Sequence, residues 1–373
     1  MRRALGYCFY ACRCPMRGPG QRQNKQREFR FLKADGCDKV RRDRLAQKRL
    51  GHAWPRRLRG VDTMALIDPS TVVSCIRSEL ARGRIVVANF SDTAKAALFY
   101  VIALSLAGTI AATTSTWGAS TLHVLMLTPA AAVLVMMLLV TDDGRYRAAW
   151  TSLDLHKAGL NGWPFAIMVP TLVLGGTYAV TWVSGLAEIH APVTNGLLKF
   201  FLVALLGLAF STFFAMGEEI GWRGYMLPRL KTLGVLRAML VVGFLQGVWH
   251  LPIMLATPWY HSSGSKFIVV PLFLVTLTLA GVLFGYLRFT SGSVWPCAIA
   301  HAVYNIAWDT LTGITAASSS PETLEYVAGE SGILPILGLS VVAAWIWIAR
   351  RTAVISASGY TSGESTASAK SRR

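Results

Sequence analysis

Eight long apolar stretches leave this chain few ways to fold. They run at approximately 95–114, 121–141, 164–186, 197–217, 235–256, 267–287, 293–312 and 333–349. Crossing a hydrocarbon core ~30 Å thick takes about 20 apolar residues in a helix. Inside lipid, every backbone N–H and C=O must find its partner within the protein, which favours helices. A chain of 373 residues that is 53% hydrophobic and 15% charged is too apolar for a soluble enzyme. The expectation is an all-α, polytopic membrane bundle of about eight transmembrane helices. Aromatic residues near the ends of several stretches (Trp117, Trp163, Trp182, Trp259, Tyr260, Tyr286, Trp295) suit an interfacial belt. The seventh stretch is the weakest because it holds His301, Asn305 and Asp309.

The net charge of +18 invites a nucleic-acid reading, but its distribution argues against one. Residues 1–63 hold 18 Lys/Arg against 5 Asp/Glu, and four of the six cysteines (Cys8, Cys12, Cys14, Cys37). That region has no apolar periodicity, no signal-peptide core and no common zinc spacing. Three readings compete for it. The first is a non-native extension ahead of a start at Met64, the second a disordered basic tail drawn to anionic lipid, and the third a metal- or RNA-binding arm. Residues 64–94 read as a cytoplasmic amphipathic lead-in, 95–350 as the membrane domain, and the Ser/Thr/Gly-rich 351–373 as a disordered cytoplasmic tail. No nucleic-acid partner is expected; the expected partners are the bilayer and a peptide or membrane-protein substrate.

Loop charges set an orientation. Arg77, Arg82, Arg84 and Lys95 precede or open the first stretch. Arg145, Arg147 and Lys157 follow the second, Arg223, Arg229 and Lys231 follow the fourth, and Arg288 follows the sixth. The first, third and seventh connections have no Lys or Arg, and the seventh carries Glu322, Glu325 and Glu330. The alternation places both termini in the cytoplasm, in a plasma membrane.

Adjacent carboxylates Glu218 and Glu219 close the fourth stretch. Burying one carboxylate at mid-bilayer costs about 2.5–3.5 kcal/mol on insertion scales, so partners are required. Glu219 and Arg223 are spaced i,i+4 and can pair. Successive helical residues point about 100° apart, which turns Glu218 to another face. A carboxylate so placed can serve as general base. The helix pattern continues through Ile220, Trp222, Tyr225, Met226 and Leu227 to Pro228. His250 precedes Pro252 in an apolar stretch, with Gln246 one turn before it and in reach of the imidazole. His301 and Asn305, also i,i+4, share a helix face. Each alone is ambiguous between interhelical packing and chemistry. Together, a carboxylate, two imidazoles and an amide supply what water-driven amide hydrolysis needs, a base and donors for the oxyanion.

Glu218-Glu219-Ile220-Gly221-Trp222-Arg223 resembles the Glu-Glu-x-x-x-Arg motif of the CAAX-protease and bacteriocin-processing (CPBP, or Abi) intramembrane proteases. The continuation to Pro228-Arg229-Leu230, the Trp249-His250-Leu251-Pro252 run and His301-Ala302-Val303-Tyr304-Asn305 are similar to that family in order and spacing, over about 195–310. The family often has Phe four residues before the second-motif His, where this chain has Gln246. The resemblance implies an endopeptidase in which Glu218 activates water with help from His250. It makes Glu219 and Arg223 a structural pair, and His301 and Asn305 the oxyanion hole. It leaves the cofactor as none or zinc, on Glu218, His250 and His301, and sets the site toward the cytoplasmic leaflet. A non-catalytic scaffold or bacteriocin-immunity protein of the same fold is one alternative, and a proton-coupled transporter another. No internal repeat of the kind duplicated transporters show is visible.

Overall fold

The computed structural model describes residues 90–118, 120–140, 146–190, 197–257, 260–261, 263–318 and 320–349. The architecture concerns the described residues, all within Ile67–Arg373. The expected extension 1–63, most of the lead-in 64–94 and the tail 351–373 lie outside the described residues.

The described residues are almost entirely helical. In order they form α1 (Asp92–Thr113), α2 (Ser120–Met126), α3 (Thr128–Val140), α4 (Tyr146–Thr151), α5 (Trp163–Val183), β1 (Ala187–Ile189) and α6 (Leu197–Glu219). A π-helical segment (Ile220–Met226) and a short turn continue α6. Then come α7 (Val235–Ala256), α8 (Lys266–Ser291), α9 (Trp295–Gly313), β2 (Thr315–Ala317), α10 (Pro321–Ala328) and α11 (333–349). Every expected apolar stretch is helical. Six helical segments, Asp92–Thr113, Ser120–Leu139, Leu160–Val183, Val235–Ala256, Lys266–Ser291 and Pro321–Ala349, are long and apolar enough to cross a membrane. Large apolar side chains such as Leu172 and Val341 face outward on these helices, and Leu205 and Phe213 do so on α6, as a lipid-facing surface requires.

Local chemistry explains the departures from straight spans. The second stretch breaks at Leu127, between α2 and α3. Pro129 has no N–H for the Leu125 carbonyl, and Thr128 Oγ1 donates to that oxygen instead, at 2.8 Å. α1 begins where Ser91 accepts from the Ala94 N–H at 3.2 Å, with Asp92 in its first turn. A two-stranded antiparallel pair, Ala187 opposite Ala317, ties the α5–α6 connection to the one after α9. It was not expected from the sequence.

The bundle has two chemically distinct ends. At one, Arg288 Nη2 donates to Asp154 at 2.6 Å, Trp295 Nε1 donates to the Leu155 carbonyl at 2.9 Å, and the Ser293 hydroxyl bonds the Lys157 carbonyl. This end carries Lys157, Arg229 and Lys231. At the other, the β1–β2 pair lies beside the segments around His261, Glu325 and Glu330. The hairpin of α7 and α8 is packed through glycine. A Cβ on Gly281 would stand 2.6 Å from Gly243 Cα, so only backbone fits at that crossing.

Candidate active site

Glu218 and Glu219 sit where α6 changes its winding. The i→i+5 pattern over Ile220–Met226 ends with the Leu227 N–H on the Trp222 carbonyl. The Arg223 carbonyl then lacks a helical donor, because the N–H of Leu227 is engaged and Pro228 has none. Arg288 Nε fills the gap at 3.1 Å. Single-turn π segments inside α-helices recur at functional sites, and here one follows directly on the two carboxylates. Gly217 and Gly221 bracket the pair. A Cβ on Gly217 would meet the Met126 carbonyl at 2.7 Å, and one on Gly221 the Pro129 ring at 2.5 Å. Small residues thus let α6 press against the α2–α3 break.

The pair is fully buried and compensated in part, with Glu219 Oε2 and the Arg223 Nε and Nη2 atoms left without a hydrogen-bond partner among the described residues. Glu219 Oε1 accepts from Arg223 Nη1 at 2.8 Å and faces His301 Nδ1 at 3.0 Å. Arg223 Nη1 also donates to Gln246 Oε1 at 2.7 Å, and the guanidinium carbon lies 4.7 Å from the centre of the Phe284 ring. Gln246 Nε2 donates to Glu218 Oε2 at 2.9 Å, and Trp222 Nε1 approaches the same oxygen at 3.4 Å. Gln246 is therefore the bridge between the two halves of the motif. The expectation that its side chain would reach His250 is corrected: its backbone carbonyl, not its amide, meets His250 Nδ1, at 2.9 Å. A carbonyl only accepts, so His250 Nδ1 carries the proton and, in the neutral ring, Nε2 the lone pair. Phe284 stacks on His301 at 15° and 5.6 Å between ring centres, fixing that imidazole from one side.

Glu218, His250, His301 and Asn305 all line one cavity of ≈ 340 Å³, completed by apolar side chains of α2 and α6 (Leu122, Met126, Phe210, Phe214) and by Tyr260, Asp309 and Glu330. Three separate helices thus bring together the four residues singled out in the sequence. Glu219 and Arg223 stand behind them and do not line the cavity. Hairpin register explains how His250, deep in α7, meets Glu218. The helix of Glu218 continues through the π segment before the turn at 231–234, so both residues lie several turns from that turn.

Sequence reasoning passed over Phe284, Tyr260 and Glu330 as site residues. Nothing distinguishes Phe284 from the other aromatics of an apolar helix. Glu330 carried a signal, an acid beside a span, but its reach to the cavity depends on the chain path after α9.

Among the described residues, no three His, Cys, Asp or Glu side chains are grouped to hold a metal ion.

Residues 199–307 match the family model described as Rce1-like, type II CAAX prenyl endopeptidase Rce1-like. The match coincides with the 195–310 segment that carries the three motifs. No curated protein matches the chain.

Proposed function

We propose that this chain, whose residues 199–307 match the Rce1-like type II CAAX prenyl endopeptidase model, is an intramembrane peptidase that hydrolyses a peptide bond of a membrane-associated polypeptide by a glutamate-activated water. The observation that carries the reading is the shared cavity of Glu218, His250, His301 and Asn305. Gln246 and Trp222 hold Glu218 Oε2 and leave Oε1 for a water. Glu218 takes a proton from that water as its oxygen attacks the scissile carbonyl carbon, while His250 Nε2, turned away from its bonded Nδ1, accepts from the same water and orients it. The carbonyl oxygen becomes an oxyanion, met by Asn305 Nδ2–H and by His301 Nε2–H of the doubly protonated ring. Glu218 then returns its proton to the departing amine, and the C–N bond breaks. Glu219 and Arg223 hold the frame: Glu219 fixes His301, and Arg223 fixes Gln246.

Purified protein in proteoliposomes, offered a library of peptides and prenylated peptides, tests the reading. Glu218→Gln keeps the shape and removes the base, so hydrolysis falls about 10²–10⁴-fold, and Asn305→Ala costs about 10²–10³-fold. Wild-type hydrolysis in Glu218→Gln would remove Glu218 as the base, and a wild-type protein that cuts none of the peptides would leave only a scaffold with this fold.

A further inference from the structure

A protonated His301 and Arg223 bring more positive charge to the buried frame than Glu219 alone can answer. The charged or titratable groups within electrostatic reach of His301 are Glu218, Glu219 and Arg223 on α6 and its continuation, His250 on α7 and Glu330 after α10. Among the described residues, the imidazole is hydrogen-bonded to Glu219 Oε1, at 3.0 Å, and that oxygen is shared with Arg223 at 2.8 Å. Arg223 Nη1 donates to Glu219 and Gln246, while Nε and Nη2 are buried with no acceptor among the described residues. The ring of Phe284 stands against both cations. Its centre lies 4.7 Å from the guanidinium carbon, and it stacks on His301 at 15° and 5.6 Å between centres. An aromatic face attracts a cation within about 6 Å, and more strongly where water is excluded; Phe284 is 3% exposed. Its backbone fixes where the ring goes. Cys297 Sγ, one turn before His301 on α9, donates to the Phe284 carbonyl at 3.2 Å and so registers α8 against α9. On the other side, a Cβ on Gly285 would stand 2.5 Å from Met239 Cγ, so the same turn is pressed against α7. A space-filling residue would need no flat face toward either cation.

We infer that Phe284 is a positioning residue whose π face holds His301 flat and doubly protonated, with Nε2–H ready for the oxyanion. The inference rests on the hydrolase reading for the oxyanion, while the coupling of Phe284 to His301 stands on geometry. Phe284 does not line the cavity, so it acts through the imidazole and not on the substrate. The charge of the imidazole is what makes the ring's electrons matter. A neutral imidazole stacks on an electron-poor ring as well as on an electron-rich one, whereas an imidazolium is held by the electron-rich face alone.

Replacing Phe284 in the full chain by difluoro- and then pentafluorophenylalanine keeps the shape and drains the face of electron density. In proteoliposomes kcat should fall stepwise along the series, by about 2–30-fold in total, with KM and Tm unchanged. Phe284→Leu should lose at least as much turnover and also melt lower. NMR of isotope-labelled imidazole nitrogens reads the same coupling without turnover. At neutral pH His301, assigned by the loss of its signals in His301→Gln, should show two protonated ring nitrogens in the wild type. A neutral fraction should grow along the fluorinated series. A kcat indifferent to fluorination, or an imidazole spectrum indifferent to it, overturns the inference. Should the spectrum respond while the wild type cuts no peptide, the hydrolase reading fails and the coupling of Phe284 to His301 stands.

Discussion

Gln246 is the side chain on which the buried charges depend. Its oxygen takes a proton from Arg223 and its amide gives one to Glu218, at 2.7 and 2.9 Å. Leucine would fill the volume and leave two buried charged groups short of a partner, at roughly 1–3 kcal/mol each. Gln246→Leu should therefore lower Tm by several degrees and depress kcat through a freed Glu218, with KM less affected. Gln246→Glu sets a third carboxylate against Glu218 with no proton to offer, and should be worse for turnover than leucine. Thermal melts beside steady-state kinetics check both, and an unchanged kcat in Gln246→Leu would remove Gln246 from any positioning role. At this scale the sequence was legible where spacing forces proximity, as in Glu219 with Arg223. It was illegible where a contact crosses between helices. Gln246 stood out only as a polar residue in an apolar run, and its partners are set by how α7 leans on α6.

Among the elements, the hairpin of α7 and α8 is the most tightly specified. The backbones meet where Gly281 lies against Gly243, while Gly247 abuts Leu274 and Leu277 and Gly285 abuts Met239. Lipid offers apolar surface as good as any neighbouring helix, so close backbone packing has to hold such pairs together. Gly281→Ala should destabilise by about 1–3 kcal/mol through overpacking, and Gly281→Leu by more. Gly175→Ala, on a helical face with nothing within 4 Å of the new methyl, should be neutral or slightly stabilising, since glycine lowers helix stability relative to alanine. Equal melting shifts for the two alanine variants would remove the crossing from the account. Helix existence was readable because length and apolarity decide it. The small-residue spacings of Gly243 with Gly247 and of Gly281 with Gly285 signal which helices pair, but were not singled out in the sequence. The π segment was not readable, because Pro228 announces only a helix end, whereas the winding before it depends on Arg288 arriving from α8 to satisfy a carbonyl.

Across the whole molecule, the two ends should respond oppositely to pH. At the basic end, burial pushes the Asp154 carboxyl up, but the hydrogen bonds and charges of Lys157 and Arg288 together outweigh it and hold the carboxyl below its usual value. A depressed carboxylate stabilises the fold above its unfolded pKa, and the contribution fades as pH falls through the folded value. At the opposite end, burial disfavours a charged His261, yet Glu325 at 2.6 Å and Glu330 at 3.3 Å more than compensate and raise the imidazole to about 9. Lys266 donates to the His261 carbonyl from the start of α8, so this network clasps the α7–α8 connection to α10 beside the cavity rim. A raised imidazole stabilises fully below its unfolded value near 6.5, and the contribution is lost as pH climbs toward 9. Melting temperature should thus be flat on the acid side of neutrality, just below about pH 6.5, and decline on both sides of that window. His261→Gln should lower the neutral Tm and flatten the alkaline decline, leaving the acid limb intact. Asp154→Asn should flatten the acid limb alone. Because Glu330 lies on the cavity wall, the alkaline loss should also loosen the rim, raising KM at high pH in the wild type before kcat falls. Melting curves and kinetics from about pH 4 to pH 10 on the three proteins separate the clasps, and an alkaline limb unaltered by His261→Gln would place the sensitivity elsewhere.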